Sequence, residues 1–531
     1  MVSKKKCKKT PSLDASRKAT KSDEISIDDG ISGVKGGLEG ISLSSSETGS
    51  NDVSSFLFHS KSTKPSFRLP FLGPISLSER GSIGAKISHG RGLITTRDVS
   101  SGECLFVIPS MFSADAVEVR TRYLQEKING GDQAKVVERL AEDHIVQKVQ
   151  AACDLLSDEE IQPSAAGRAR IQLNAFILQM NSERVLTIEN PAALMGNLVA
   201  NESSTIPPKD TVNLDKGTIL GIIRRNGFGP DFHNYNKIAT CWTERANSEH
   251  CYNRVLGIYP LAAMINHSCC PNAVRVFGSI PTQNGIKSKK EVMIAHANAN
   301  IPNGTEITWS YISPATPFAV RREMLLSKYG FTCHCPRCAM EDEAISKAEF
   351  QGLFALADRR WSTRDSNLCD QRETAISLVS SIERIFSTNQ IPIESQRYLR
   401  VSYGLLYIDS FNAMHSLNNE ECLKHNIQLA TQLHFSFVSC NNASTEHLSI
   451  LHLCYDLSSY LRTIAMKGSD PNTIRWATSQ VRFWTDQLKI AHMIRYGELG
   501  EDLEKVRDAM KHSKMVVRNQ DGWYLAKDCF I

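Results

Sequence analysis

Gly304-Thr-Glu306-Ile-Thr-Trp-Ser310-Tyr311, followed by Tyr329-Gly-Phe331-Thr-Cys333-His-Cys335-Pro-Arg-Cys338, is the stretch from which the rest of this chain can be read. The Cys-x-Cys-x-x-Cys triplet sets three soft thiolates within six residues. A closed structural zinc site takes four ligands, so the triplet predicts a fourth donor from elsewhere in the chain. Cys269 and Cys270 are both ready donors. Upstream, Pro302-Asn303-Gly304 reads as a turn between two strand-like segments, Glu291–His296 and Glu306–Tyr311.

Working back toward the N-terminus, Asn266-His267-Ser268-Cys269-Cys270-Pro271-Asn272 follows an apolar run that belongs in a core. Buried Asn and His side chains need hydrogen-bond partners, so this cluster is an internal network or a ligand site. Further back, Gly90-Arg91-Gly92-Leu93 places two glycines one residue apart. Without a Cβ to clash, such a segment lets backbone approach a ligand closely, although the same spacing suits a plain turn.

Around these motifs the texture changes several times. Residues 1–64 are rich in Ser, Lys, Gly and Asp and poor in aromatics, a composition that predicts disorder. Their KKKCKK run is a weak nuclear address or simply a solvated tail. Cys104-Leu-Phe-Val-Ile108 reads as a strand. A helical period follows in Val136, Val137, Leu140 and Ile145, and again in Ile171, Leu173, Phe176 and Ile177. Pro207-Pro208 and the stretch around Gly227 read as loops. After Met340 the pattern is helical throughout, with Ala375, Leu378, Val379, Ile382, Ile385 and Phe386 on one face, and Leu448, Leu451, Cys454 and Tyr455 on another. Successive amphipathic helices with short connections predict antiparallel pairs of the solenoid kind.

The bulk numbers narrow the function. A net charge of +4 over 531 residues argues against a dedicated nucleic-acid binder. No apolar run reaches the roughly 18–20 residues that crossing a bilayer takes, and no apolar segment of the signal-peptide kind follows the first lysines. These features predict a protein of the cytoplasm, the nucleus or both. Fifteen cysteines, an odd number with several clustered, point to reduced thiols and metal rather than disulfides.

In this order, NHSCxPN, GxEIxxxY and CxCxxC resemble the split SET domain and post-SET cysteines of the SMYD proteins. The resemblance spans residues 75–340. It implies an α+β fold: a β-rich SET domain over 75–312 with a helical insertion near 114–215, a post-SET zinc segment over 313–340, and an all-α, TPR-like region over 341–531. It further implies transfer of a methyl group from S-adenosylmethionine to lysine on a protein. By likeness Gly90, Arg91 and Gly92 lie against the cofactor, and Asn266 and His267 hold its adenosine and amino-acid portions. Tyr311 matches the active-site tyrosine, which also borders the cofactor, and Phe331 the wall over the adenine. Cys269, Cys333, Cys335 and Cys338 match the zinc ligands, and Asn226 loosely matches an asparagine that precedes NHSC. Two departures stand out. Between Cys104 and Cys269 lie only Cys153, Cys241 and Cys251, so no MYND zinc finger is recognisable, and His89 precedes the glycine pair where a lysine is common.

Methyl transfer is an in-line displacement, so alignment in a narrow channel carries much of the rate. A tyrosine with a pKa near 10 makes a poor general base at neutral pH, which casts Tyr311 as an orienting hydroxyl. The competing expectation is an inactive SET-fold scaffold that binds peptides or proteins through its C-terminal helices.

Overall fold

The computed structural model describes residues 71–79, 91–126, 132–157, 214–229, 254–281, 289–362, 368–388, 391–415, 420–440, 444–467, 470–496, 516–519 and 522–525, with the single positions 169, 172, 173, 176 and 239. The predicted disordered segment 1–64 and Gly90 lie outside them, as does the side chain of Arg91. The account below concerns the compact unit that starts at Asp52.

Three sheets form its β-rich part. The first is antiparallel, ordered β1-β4-β10-β9 from Phe71–Leu72, Cys104–Pro109, Lys289–Ala297 and Ala273–Pro281. The continuous apolar run Leu105–Ile108 is a strand covered on both faces. Along β10, Met293, Ala295 and Ala297 enter one core together with Phe106 and Ile108 of β4. The alternate residues Val292 and Ile294 enter another, with Val107 of β4. Side chains of a strand alternate between faces, so this single sheet separates two cores.

The second sheet runs β2-β3-β11-β8, from Ile75–Glu79, Arg91–Thr95, Glu306–Trp309 and Asn266–His267. Its last pair is parallel, with Asn266 opposite Thr308 and His267 opposite Trp309. Gly304, at φ 72°, supplies the left-handed residue of the turn that leads into β11. Trp309, 1% exposed, anchors this sheet in the core with Phe106 and Phe228 edge-on to its ring.

The third sheet, β5-β7-β6, joins Phe112–Asp115, Arg254–Ile258 and Gly227–Phe228. Helices α1 (Ala116–Glu126), α2 (Gln133–Ser157) and α3 (Lys216–Asn226) share a core with it through Val119, Leu140, Ile145, Ile219 and Ile222. Here the sequence misled: the stretch leading to Gly227 is helix and then strand rather than loop. Asp215 caps α3 by accepting from the Thr218 N–H at 2.9 Å, and Ile219, Ile222 and Ile223 give the helix a buried face.

From Phe318 onward the chain is helical: α4 (Phe318–Tyr329), α5 (Pro336–Ile345), α6 (Ala348–Ser362), α7 (Leu368–Ser387), α8 (Ile393–Ser402), α9 (Gly404–His415), α10 (Glu420–Ser439), α11 (Thr445–Ala465) and α12 (Pro471–Tyr496). Their apolar faces, with Val379, Leu406, Phe411, Leu451 and Trp484, close over Val107, Val292 and Ile294. One departure from the all-helical expectation is a hairpin of β12 (Val516–Asn519) and β13 (Gly522–Leu525). Valine, tryptophan and tyrosine favour strands. No helix among the described residues is long and apolar enough to cross a membrane.

Candidate active site and metal centre

The site is assembled where β8, β11 and the segment after α4 meet. Asn272 stitches the 266–272 segment to β11 with both ends of its amide. Its Nδ2 donates to the Glu306 carbonyl and its Oδ1 accepts from the Thr308 N–H, each at 2.8 Å. Asn266 Nδ2 donates to the buried Glu306 carboxylate at 2.7 Å. Glu306 and Asn272 were visible only as motif letters, because a register contact between distant segments leaves no local signature.

Gly92 is a buried strand residue. Ile307 pairs with Leu93, and the residues next to them, Thr308 and Gly92, continue toward Asn266, the partner of Thr308. Two of the predicted cofactor-binding positions thus approach one another across β11. Asn226 is the last residue of α3, where its Nδ2 donates to the Ile222 carbonyl at 3.1 Å.

Tyr311 leaves β11 and turns its ring into an aromatic cluster. The ring centroids of Tyr311 lie 5.2 Å from His267, 4.9 Å from Tyr329 and 6.2 Å from Phe331. His267 and Phe331 are 5.8 Å apart. The Tyr311 hydroxyl donates to the Ile265 carbonyl at 2.7 Å. Burial, with Tyr329 alongside, pushes the Tyr311 hydroxyl well above the usual tyrosine range. It is therefore a neutral hydroxyl whose proton faces a carbonyl and whose oxygen keeps acceptor capacity.

Tyr329 is a member that sequence reasoning quoted without assigning a role. Its signal was present in Tyr329-Gly330-Phe331: Gly330 takes φ 76° as the left-handed C-cap of α4. That turn brings aromatic rings from both of its neighbours to the same cluster.

Behind the cluster, the sulfurs of Cys269, Cys333, Cys335 and Cys338 all lie within 4.8 Å of one another. Cys269 Sγ is 3.9 Å from Cys333 Sγ and 3.5 Å from Cys338 Sγ. Tetrahedral zinc with bonds of about 2.3 Å needs sulfurs about 3.8 Å apart, so the four residues fit that ion. Hydrogen bonding from Cys333, then from Cys335 and Cys338, holds the Cys269 thiol well below its usual range. The alternative donor Cys270 turns away. It packs with Cys440 of the helical core, and its hydrogen bond to that thiol, together with burial, raises its own pKa.

Next to the thiols is a buried ionic network that the sequence did not announce. Arg321 of α4 and Arg337 of α5 are 1% and 0% exposed and share one carboxylate, Glu341. Arg321 Nη2 lies 3.8 Å from Cys338 Sγ. Arg337 donates to the carbonyls of Cys269, at 3.3 Å, and Pro314, at 2.8 Å. Ser402, the last residue of α8, accepts from both guanidinium groups and donates to Glu341. A fully buried pair of cations with one anion is costly unless further negative charge stands near, and a thiolate cluster holding a metal would provide it.

Comparison with known proteins places this geometry. The SET domain family matches residues 90–312. The histone-lysine N-methyltransferase ASHR1 of Arabidopsis thaliana is 38% identical over 84 residues, 16% of this chain and 15% of that protein. The N-lysine methyltransferase SMYD2 of Homo sapiens is 32% identical over 96 residues, 18% and 20% of the two chains. A methyltransferase of Gibberella zeae is 24% identical over 329 residues, 60% of this chain and 39% of that one. The matches to ASHR1 and SMYD2 span a fifth or less of those proteins' length. Among solved structures, the SET domain of LSMT bound to lysine and AdoHcy aligns over 84% of this chain and 88% of its own, at 12% identity and a TM-score of 0.23.

Proposed function

We propose that this chain, which carries a SET domain with the SMYD-like order of motifs, methylates lysine side chains of proteins using S-adenosylmethionine. The observation that carries the reading is Tyr311. Its buried, neutral hydroxyl is tied to the Ile265 carbonyl at the centre of an aromatic cluster, two residues beyond the strand that pairs with Asn266-His267.

S-adenosylmethionine, when bound, supplies an electrophilic methyl group on a sulfonium centre. The chain's own residues do the rest. Gly92, Asn266 and His267 line the cofactor together with Tyr311 and Phe331, Arg91 continues the strand edge of Gly92, and Gly90, outside the described residues, completes the set. Tyr311, Tyr329 and Phe331 wall off water and form the apolar lining around the lysine side chain. Burial among these rings also disfavours the ammonium form of lysine, so the neutral amine that attacks is more populated than in water. Tyr311 holds its proton on Ile265 and offers its oxygen as an acceptor, orienting the amine rather than deprotonating it. Cys269, Cys333, Cys335 and Cys338 hold a structural zinc that fixes Phe331 against the 266–272 segment.

The helical region is the surface we assign to protein partners, and the chain is assigned to the cytoplasm, the nucleus or both, with the Lys4–Lys9 run a weak nuclear address. The deciding experiment incubates the purified protein with methyl-labelled S-adenosylmethionine and whole-cell extract, followed by identification of the labelled residues. Label on lysine supports the proposal. Label on no protein at all would leave the scaffold reading in its place.

A further inference from the structure

The imidazole of His267 has both nitrogens committed, and the two commitments lead in opposite directions. Nδ1 accepts from the backbone N–H of Tyr311 at 3.0 Å. Nε2 lies 3.2 Å from Cys269 Sγ. A backbone N–H can only donate, so Nδ1 carries no proton, and in the neutral ring the proton must sit on Nε2. That N–H points at the sulfur of a residue in the four-cysteine cluster. The ring is buried at 7% exposure.

The backbone explains why a side chain does this. The parallel ladder of β8 and β11 ends at the pair His267–Trp309, with Ser268 N–H donating to the Trp309 carbonyl at 3.1 Å. Tyr311 lies two residues further on, so its N–H faces the same edge as that of Trp309, where no further strand continues. A buried N–H without an acceptor is costly. The ring of His267, the last residue of the ladder, takes the place of the missing strand.

We propose that His267 is a positioning residue. Its ring couples the metal centre to the active-site tyrosine by donating to the Cys269 thiolate through Nε2 and anchoring the Tyr311 backbone through Nδ1. The catalytic part rests on the proposed methyltransferase reading, whereas the metal part does not. Partners of this kind, one shell out from a ligand, change metal affinity by about 10–100-fold when removed.

Two substitutions separate the arms. Asn places its amide oxygen where Nδ1 stands, and Gln places its amide nitrogen where Nε2 stands. His267→Asn keeps the acceptor for Tyr311 and loses the donor to Cys269. His267→Gln does the reverse. Zinc affinity, read by competition with a chromogenic chelator in reduced protein, should fall about tenfold or more in the Asn variant and stay close to wild type in the Gln variant. Exchange of the Tyr311 amide hydrogen, read by mass spectrometry on short peptides, should accelerate in the Gln variant alone. With both proteins saturated with zinc, the Gln variant should show the lower kcat, with KM for S-adenosylmethionine changed less. Equal zinc affinity in all three proteins, or equal protection of the Tyr311 amide, would overturn the coupling. An inactive wild type that still shows the zinc and exchange differences would count against the methyltransferase reading and leave the strut in place.

Discussion

The Tyr311 hydroxyl donates to the carbonyl of Ile265, a residue 46 positions earlier in the chain that immediately precedes Asn266-His267. Tyr311 and the segment read as cofactor-binding are therefore held by one short bond as well as by the pairing of β8 with β11. Tyr311→Phe keeps the ring contacts and removes only this bond and the oxygen. Turnover on a protein substrate should fall by about a hundredfold or more, the scale of losing one aimed polar group. Affinity for S-adenosylmethionine should change little, and parallel thermal melts should show a small shift. Undiminished turnover in the Phe variant would reduce Tyr311 to packing.

The thiol cluster predicts one zinc per chain, readable by elemental analysis of reduced protein. Cys269→Ser should lose the metal and melt at lower temperature, because structural zinc contributes folding free energy directly. Cys270→Ser should retain it, since Cys270 faces Cys440 rather than the cluster. The opposite pattern would exchange the roles of the neighbouring cysteines.

Glu341 carries the only carboxylate shared by Arg321 and Arg337 among the described residues. Glu341→Gln leaves two buried guanidinium groups facing an amide. A loss of about 3–5 kcal/mol in chemical denaturation is expected, the cost of breaking a buried pair from one side. A change below about 1 kcal/mol would mean that the thiolates alone balance both cations.

His434 and His447 stack in the helical core, Nδ1 to Nε2 at 2.9 Å. Burial, reinforced by His447, holds the His434 pKa well below its ordinary value. Its folded pKa is depressed, so the stability it contributes is complete above about pH 6.5 and is lost as pH falls toward the folded value. Below pH 6.5 the wild type should lose stability with falling pH, at no more than about 1.4 kcal/mol per pH unit, that His434→Phe retains. Parallel denaturant titrations at several pH values measure this difference, and equal slopes would rule it out.

What was legible in the sequence was chemistry written in short spacings. Three cysteines in six residues announce a metal whatever surrounds them, and the order of NHSC, GxE and CxCxxC narrows the fold further. Contacts between distant segments were not legible. Arg321, Arg337 and Glu341 look like ordinary surface residues of two helices until Ser402 closes over them. Tyr329 resembles any aromatic near a helix end until Gly330 turns it inward. The apolar run Leu105–Ile108 said that both faces of a strand are covered, but not by what, because burial is a property of the partner layers as much as of the strand.

The sheet β1-β4-β10-β9 has consequences for how this protein can be taken apart. With Met293 and Ala295 facing one side and Val292 and Ile294 the other, β10 has no outdoor face. A cut after Cys338, tempting because every residue of the proposed chemistry lies before it, would strip one wall from the sheet and lay its valines and isoleucines open to water. Such a fragment would be sticky and ill-formed. The helices serve here as architecture, and the smallest stable version of this fold includes them.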